Sequence, residues 1–273
     1  LEQYDMEVGV PMDLTSAYSC SGASSRSLTA AMNIATPAFT PPASMQVATV
    51  RGCNSSTRWL ELDKHNTCAK LFDGWLTLAT DLSVVCLHRS TAAFLRTCVM
   101  GISDPSTIAK VFVHVDGGGS RRNADTDDGS MALAVTATTF EGVNHFLGYV
   151  CDTVATVRES PKWIGAERQS SMVGELTAQA WAAMLILSNP MRAPTGAEFH
   201  IIYDSEAAAR LATAAWAPKV NRRLVAVSAG LVQLASQCRT ISWGHIFSHR
   251  GDPLNELADT LVALAVYNPQ CAH

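Results

Sequence analysis

The sequence predicts an α/β fold: a mixed five-stranded sheet, built as a three-stranded antiparallel meander extended by parallel strands, flanked by helices and preceded by an N-terminal region without assignment. Three observations carry this. Val111 to Val115, Met131 to Thr139 and Phe146 to Val154 are β-branched or alternating segments that follow one another across short polar turns, as a meander requires. Phe199 to Tyr203 and Thr240 to Phe247 are two further strand patterns, each separated from the next by a segment of helical period. The resulting order is β-β-β-α-β-α-α-β-α, which places helices against a sheet of mixed direction.

Composition sets the outer limits. With 48% apolar residues and only 16% charged, the 273-residue chain can bury a sizeable core. No apolar run reaches membrane-spanning length and no charged-then-apolar segment opens the chain, so an intracellular protein is expected, nuclear or cytoplasmic. The first residue is Leu1, which agrees with a piece of a longer protein. Eight scattered cysteines without a C-x-x-C pair favour reduced thiols over a zinc site. The net charge of −4 argues against bulk electrostatic capture of nucleic acid, but leaves room for a basic rim around an acidic, metal-filled centre.

Residues 1–45 are rich in Ser, Thr, Ala and Pro and read as linker or disordered lead. Residues 46–108 hold Leu76, Leu78, Leu82, Val84, Val85, Leu87, Phe94 and Leu95, enough for one or two helices, with no function assigned. His65 with Cys68, and Cys86 with His88, lack a recognisable finger spacing. Asp104-Pro105 marks the expected boundary of the next domain, residues 109–268.

In that domain Asp116 ends the first strand, and Gly117-Gly118-Gly119 is read as a place where the backbone leaves the sheet; without G-K-[ST] or G-x-G-x-x-G it is no phosphate loop. Residues 121–128 form a polar turn and residues 156–170 a loop. A helix opens at Gly174-Glu175-Leu176, with Glu175 in its first turn, where the helix dipole alone would favour a carboxylate. Asp204 follows the fourth strand, where capping the helix from Glu206 to Ala215 is a sufficient reason for it. Another helix covers Asn221 to Ser236. His114, His200 and His245 fall within strands and read as packed residues rather than ligands.

Asp252 followed by Pro253 reads as an N-cap and first helical residue, starting a helix that runs through Leu264 or beyond. Leu254, Leu257, Leu261 and Leu264 form its apolar stripe, and Asp259 lies about 200° around the wheel from Leu257. An amphipathic helix with a solvated acidic face would account for this spacing alone. Asp116, Glu175 and Asp204, each at the end of a strand or the start of a helix, make with Asp259 a set of four acids.

Val115-Asp116-Gly117, Gly174-Glu175-Leu176, Tyr203-Asp204-Ser205 and His249-x-Gly251-x-x-x-Asn255-Glu256-x-x-Ala258-Asp259 follow one another along the chain. In these pieces and their order the chain, from about Lys110 to Val266, resembles the type 1 ribonuclease H family, and within it the domains carried by retroelement polyproteins. The last piece is the most specific. The resemblance implies a ribonuclease H-like sheet and a metal-dependent endoribonuclease that cuts the RNA strand of an RNA/DNA hybrid, leaving a 5′-phosphate and a 3′-hydroxyl.

It also implies two Mg²⁺ ions, with Mn²⁺ as a substitute, held by Asp116, Glu175, Asp204 and Asp259, with Asp116 bridging. Hard cations take oxygen ligands, and a pair about 3.5 to 4 Å apart stabilises both the entering and the leaving oxygen. By the same resemblance His249 is a mobile aid to proton transfer and product release. Asn255 and Glu256 fix the loop, and Gly117, Ser171, Ser205, Lys219, Arg222, Arg223 and Asn255 face the substrate. Arg121, Arg122 and Arg250 are further candidates for phosphate contacts, and Trp216 for stacking on a sugar.

Two departures stand out. Where relatives often carry consecutive asparagines before the glutamate, this chain has Ser170-Ser171-Met172-Val173, and the Asp116 to Glu175 interval is longer, with the extra residues placed in the 156–170 loop. The alternative functions are a nucleic-acid-binding remnant of such a domain, without useful turnover, and another nuclease of the same fold, such as a resolvase or integrase.

Overall fold

The computed structural model describes residues 77–123 and 126–267, without the side chains of 120–123, 126–128 and 267. The expected lead over residues 1–45, residues 46–76 of the 46–108 region, and with them His65 and Cys68 lie outside the described residues.

The meander forms as expected, with longer strands. Strands β2 (Ile108–Asn123), β3 (Thr126–Thr139) and β4 (Asn144–Thr153) pair antiparallel, and β5 (Glu198–Tyr203) and β6 (Thr240–His245) add in parallel beyond β2. Most of the expected polar turn at 121–128 is therefore strand: the β2–β3 pairing continues to Asn123 and Thr126. A sixth strand, β1 (Val99–Met100), pairs parallel with β4 and gives the order β1-β4-β3-β2-β5-β6. Two residues are too few to show an alternation, which is why five strands were expected.

Side chains alternate across the sheet and sort the core into two layers. Val111, Val113 and Val115 of β2 face α2 (Ser171–Ser188) and share one core with its Leu176 and Met184 and with Val227 and Leu231 of α4 (Arg222–Cys238), which packs on α2. The short α3 (Glu206–Ala212) lies on the chain between β5 and α4. The opposite layer holds Ala132 and Ala134 of β3 with Leu254, Leu257 and Leu261 of α5 (Pro253–Tyr267), so three of the four leucines of the expected stripe are core. Those alanines pair with Asp116 and His114 on β2, and their small side chains leave room for the polar ones.

The glycines act differently from the reading given above. Gly117, Gly118 and Gly119 remain within β2, and none has a positive φ. Close approach explains them: a Cβ on Gly117 would lie 1.9 Å from the Glu175 nitrogen, and one on Gly118 2.5 Å from Val262 Cγ1. Across the contact, a Cβ on Gly174 would sit 2.2 Å from the Ser130 carbonyl oxygen. Strand and helix touch backbone to backbone here, at the one place where Glu175 must come beside Asp116.

Residues 77–107 join the same sheet and core. Ala79 bridges to Tyr149, whose hydroxyl donates to the Asp81 carbonyl at 2.8 Å, and α1 (Arg89–Leu95) packs on α5. Among the described residues one helix, α1, forms there, within the one or two expected; Leu82, Val85 and Leu87 enter the core from turns and irregular chain. His88 Nδ1 accepts from the Ser90 nitrogen as the cap of α1, and Cys86 is exposed. Asp104 caps a single 3₁₀ turn, Pro105–Thr107, that leads into β2. The 156–170 loop is irregular as expected, but buries Trp163, Ile164 and Ala166. Among the described residues no helix is long and apolar enough to cross a membrane.

Candidate metal centre

Three carboxylates converge. Asp116 on β2, Glu175 on α2 and Asp204 after β5 each offer an oxygen, and these atoms lie within 4.8 Å of one another. Asp116 and Asp204 come together because β2 and β5 are adjacent and parallel, with His114 opposite Ile202 at the end of the pairing. Glu175 arrives through the glycine contact.

The simpler explanations for two of these acids do not hold. The helix carrying Glu175 starts at Ser171, capped by the Ser170 hydroxyl, so Glu175 is its fifth residue and the first turn contains no acid. Nor does Asp204 cap α3; Ser205 does, its hydroxyl accepting from the Ala208 nitrogen at 3.4 Å. Neither carboxylate is thus spent on capping a helix.

The centre is electrostatically loaded. Asp116 is buried, and burial, reinforced by the charges of Asp204 and Asp259, pushes its carboxyl up to about 8, against the opposing effect of the Gly117 N–H that donates to it at 2.7 Å. Glu175 is raised well above the ordinary carboxylate range by burial and then by Asp116 and Asp204. Glu175 Oε2 and Asp204 Oδ1 are buried with no hydrogen-bond partner. An all-oxygen set with unused buried oxygens and mutual repulsion fits a hard divalent cation.

Asp259 on α5 stands outside that trio but within its field. Burial raises it first, His249 opposes this, and Glu256 and Asp204 add to the rise. His249 is exposed, in the left-handed region at φ 53, on the loop before α5. Asp252 caps α5 as expected, accepting from the Leu254 and Asn255 nitrogens at 3.1 and 3.0 Å, and Glu256 Oε1 accepts from the Gly251 nitrogen at 3.1 Å. Asn255 is buried and its Nδ2 donates to Asp204 Oδ2 at 3.5 Å. Glu256 and Asn255 thus fix the loop and the start of the helix.

The remaining expected residues are spread more widely. Gly117 is pressed against α2, and Ser171 is exposed at its first position. Ser205 is occupied as a cap. Lys219, Arg222 and Arg250 are exposed, while Arg223 lies over the ring of Trp163 at 5.3 Å. Trp216 is half-buried with Arg210 over its ring at 5.1 Å. Of the histidines, His114 is buried and His200 stacks on Phe112, but His245 is exposed: β6 is the edge strand and His245 its last residue. Ser248 was missed. Its hydroxyl donates to Asp204 Oδ2 at 2.7 Å, and its place beside His249 was the only clue in the sequence.

Fold and site together define a mixed α/β protein with an acidic cluster suited to a divalent cation. No family model matches the chain, and no curated protein matches it. Similar solved structures include RNase H1 from the halophilic archaeon Halobacterium salinarum NRC-1, at 19% identity over 57% of this chain and 97% of that one, with a TM-score of 0.40. LC11-RNase H1 in complex with RNA/DNA hybrid is similar at 15% identity over 57% and 99%, with a TM-score of 0.39. So is the foamy viral protease-reverse transcriptase in complex with dsDNA, at 15% identity over 61% and 99%, with a TM-score of 0.39.

Proposed function

We propose that the chain is a divalent-metal-dependent endoribonuclease that hydrolyses the RNA strand of RNA/DNA hybrids, leaving 5′-phosphate and 3′-hydroxyl ends. The observation that carries this is the convergence of Asp116, Glu175 and Asp204 from three separate elements, with Asp259 and His249 beside them. Asp116, Glu175 and Asp204 would hold the metal, with Asp259 closing the set. Bound Mg²⁺, or Mn²⁺ in its place, supplies Lewis-acid stabilisation of charge on the phosphate oxygens.

The chain's own groups do the rest. Burial raises both Asp116 and Glu175, so holding a cation there would be linked to proton release. Asp204 keeps one oxygen on its donors and presents the other. His249, exposed on its loop, moves a proton on the leaving side. Arg222, Lys219 and Arg250 are solvent-facing cations that position a phosphate backbone.

A non-catalytic binding remnant is the second reading, favoured by the segment before Glu175: the Ser170 hydroxyl is spent on capping α2, leaving Ser171 to meet a 2′-hydroxyl. Labelled RNA/DNA hybrid, double-stranded RNA and double-stranded DNA, offered with Mg²⁺ to wild type and Asp116→Asn, separate the two. Hybrid cutting abolished by the substitution is the expected result; saturable hybrid binding without cutting by wild type establishes the remnant.

A further inference from the structure

Asp204 follows the last residue of β5, and its two oxygens have different fates. Oδ2 receives the Ser248 hydroxyl at 2.7 Å and the Asn255 amide at 3.5 Å, while Oδ1 is buried without a partner. Holding one oxygen removes the rotation of the carboxylate and leaves the other committed to the centre. A neutral hydroxyl does this without supplying a positive charge that would compete with a cation. Ser248 is the nearer of the two donors.

Ser248 also sits in the middle of an exposed loop, with the Phe247 ring against His245 just before it. At one end the Ile246 nitrogen donates to the Tyr203 carbonyl at 2.9 Å, and at the other the Gly251 nitrogen donates to Glu256 Oε1 at 3.1 Å. Between them Phe247, Ser248, His249 and Arg250 are all exposed, and His249 has the positive φ of 53 that a residue with a side chain adopts at a cost. Burial therefore does not fix this stretch. The hydrogen bond from Ser248 to Asp204 ties it to the acidic cluster.

We infer that Ser248 is a positioning residue of the metal centre: its hydroxyl aims Asp204 Oδ1 at the cation and tethers the His249 loop to the same carboxylate. This rests on the metal-centre reading above and adds a residue to it. Loss of the hydroxyl frees Asp204 to turn and releases the loop, while the fold, which does not bury this side chain, is unaffected.

The test uses the full chain and Mn²⁺ alone. Calorimetric titration compares wild type, Ser248→Ala and Ser248→Thr, with the Tm of the metal-free proteins and amide exchange at residues 247–250 measured alongside. The expected result is an affinity about 10-fold weaker in Ser248→Ala, recovered in Ser248→Thr, with unchanged Tm and faster exchange in the loop of the alanine variant. Saturable binding by wild type that Ser248→Ala matches overturns the inference and leaves the metal centre intact. Absence of saturable binding by wild type overturns the metal-centre reading itself.

Discussion

At the scale of single residues, Asp116 and His114 lie two apart on one strand, on the same face, and burial acts on them in opposite senses. Asp116 titrates near 8 in the folded protein against an ordinary 3.8, so between those values the native state holds a proton that the unfolded state has lost. Its contribution to stability is therefore present at low pH and is lost as pH rises towards 8. His114 opposes this below its ordinary 6.5, so the metal-free Tm is expected to fall between 6.5 and about 8 and Asp116→Asn to flatten the fall, each kcal/mol relieved appearing as about 2–4 °C. A wild-type Tm that rises from pH 6.5 to 8 in chelator would contradict this. Divalent affinity should rise over the same window, since bound cations displace those protons.

His114 behaves in the opposite way. Burial lowers it to about 4, with Asp252 at 3.5 Å opposing, so below its ordinary 6.5 the unfolded state gains a proton that the native one refuses. Stability is lost as pH falls from 6.5 through 4. His114→Gln is expected to shift the midpoint of acid unfolding downward, as followed by circular dichroism. At this scale the sequence singled out Asp116, Glu175 and Asp204, which the fold brings together, along with Asp259, which stands outside that trio. It was not informative about what each neighbour does: Ser205, not the adjacent Asp204, caps α3, and Ser170 starts α2 four residues before Gly174-Glu175, which only the placed hydroxyls reveal.

At the scale of elements, periodicity located β2 to β6 and the helices from α2 onward, because each repeats its apolar face several times. The joint between β2 and α2 was less visible. A helix-opening glycine and a strand glycine are each ordinary, and only their mutual contact explains both. Gly174→Ala tests the joint. In an isolated helix alanine gains roughly 1 kcal/mol over glycine, yet here its Cβ would meet the Ser130 carbonyl oxygen at 2.2 Å. The clash should win, moving α2 off the strand and Glu175 away from Asp116. The expected outcome is a Tm several degrees lower and about 10-fold weaker Mn²⁺ binding by calorimetry; a variant more stable than wild type would show that the joint can relax.

At the scale of the whole molecule, residues 77–107 were illegible because their contacts are made across the chain rather than along it. Thr91, fully buried, donates to the Pro253 carbonyl at 2.7 Å across 162 positions, and no local pattern encodes such a pair. The contact places α1 against the first residue of α5, the helix that carries Asn255 and Asp259 and follows the His249 loop. Thr91→Val keeps the shape and removes the donor, which costs roughly 1–3 kcal/mol where the carbonyl is left without it. Because α5 covers the β2 and β3 face of the sheet, the loss should appear as faster amide exchange along α5 in addition to a lower Tm. Thr91→Ser should recover much of both. If exchange along α5 stays at the wild-type rate while Tm falls, α1 stabilises the sheet edge by itself and α5 holds its acids without help from the N-terminal segment.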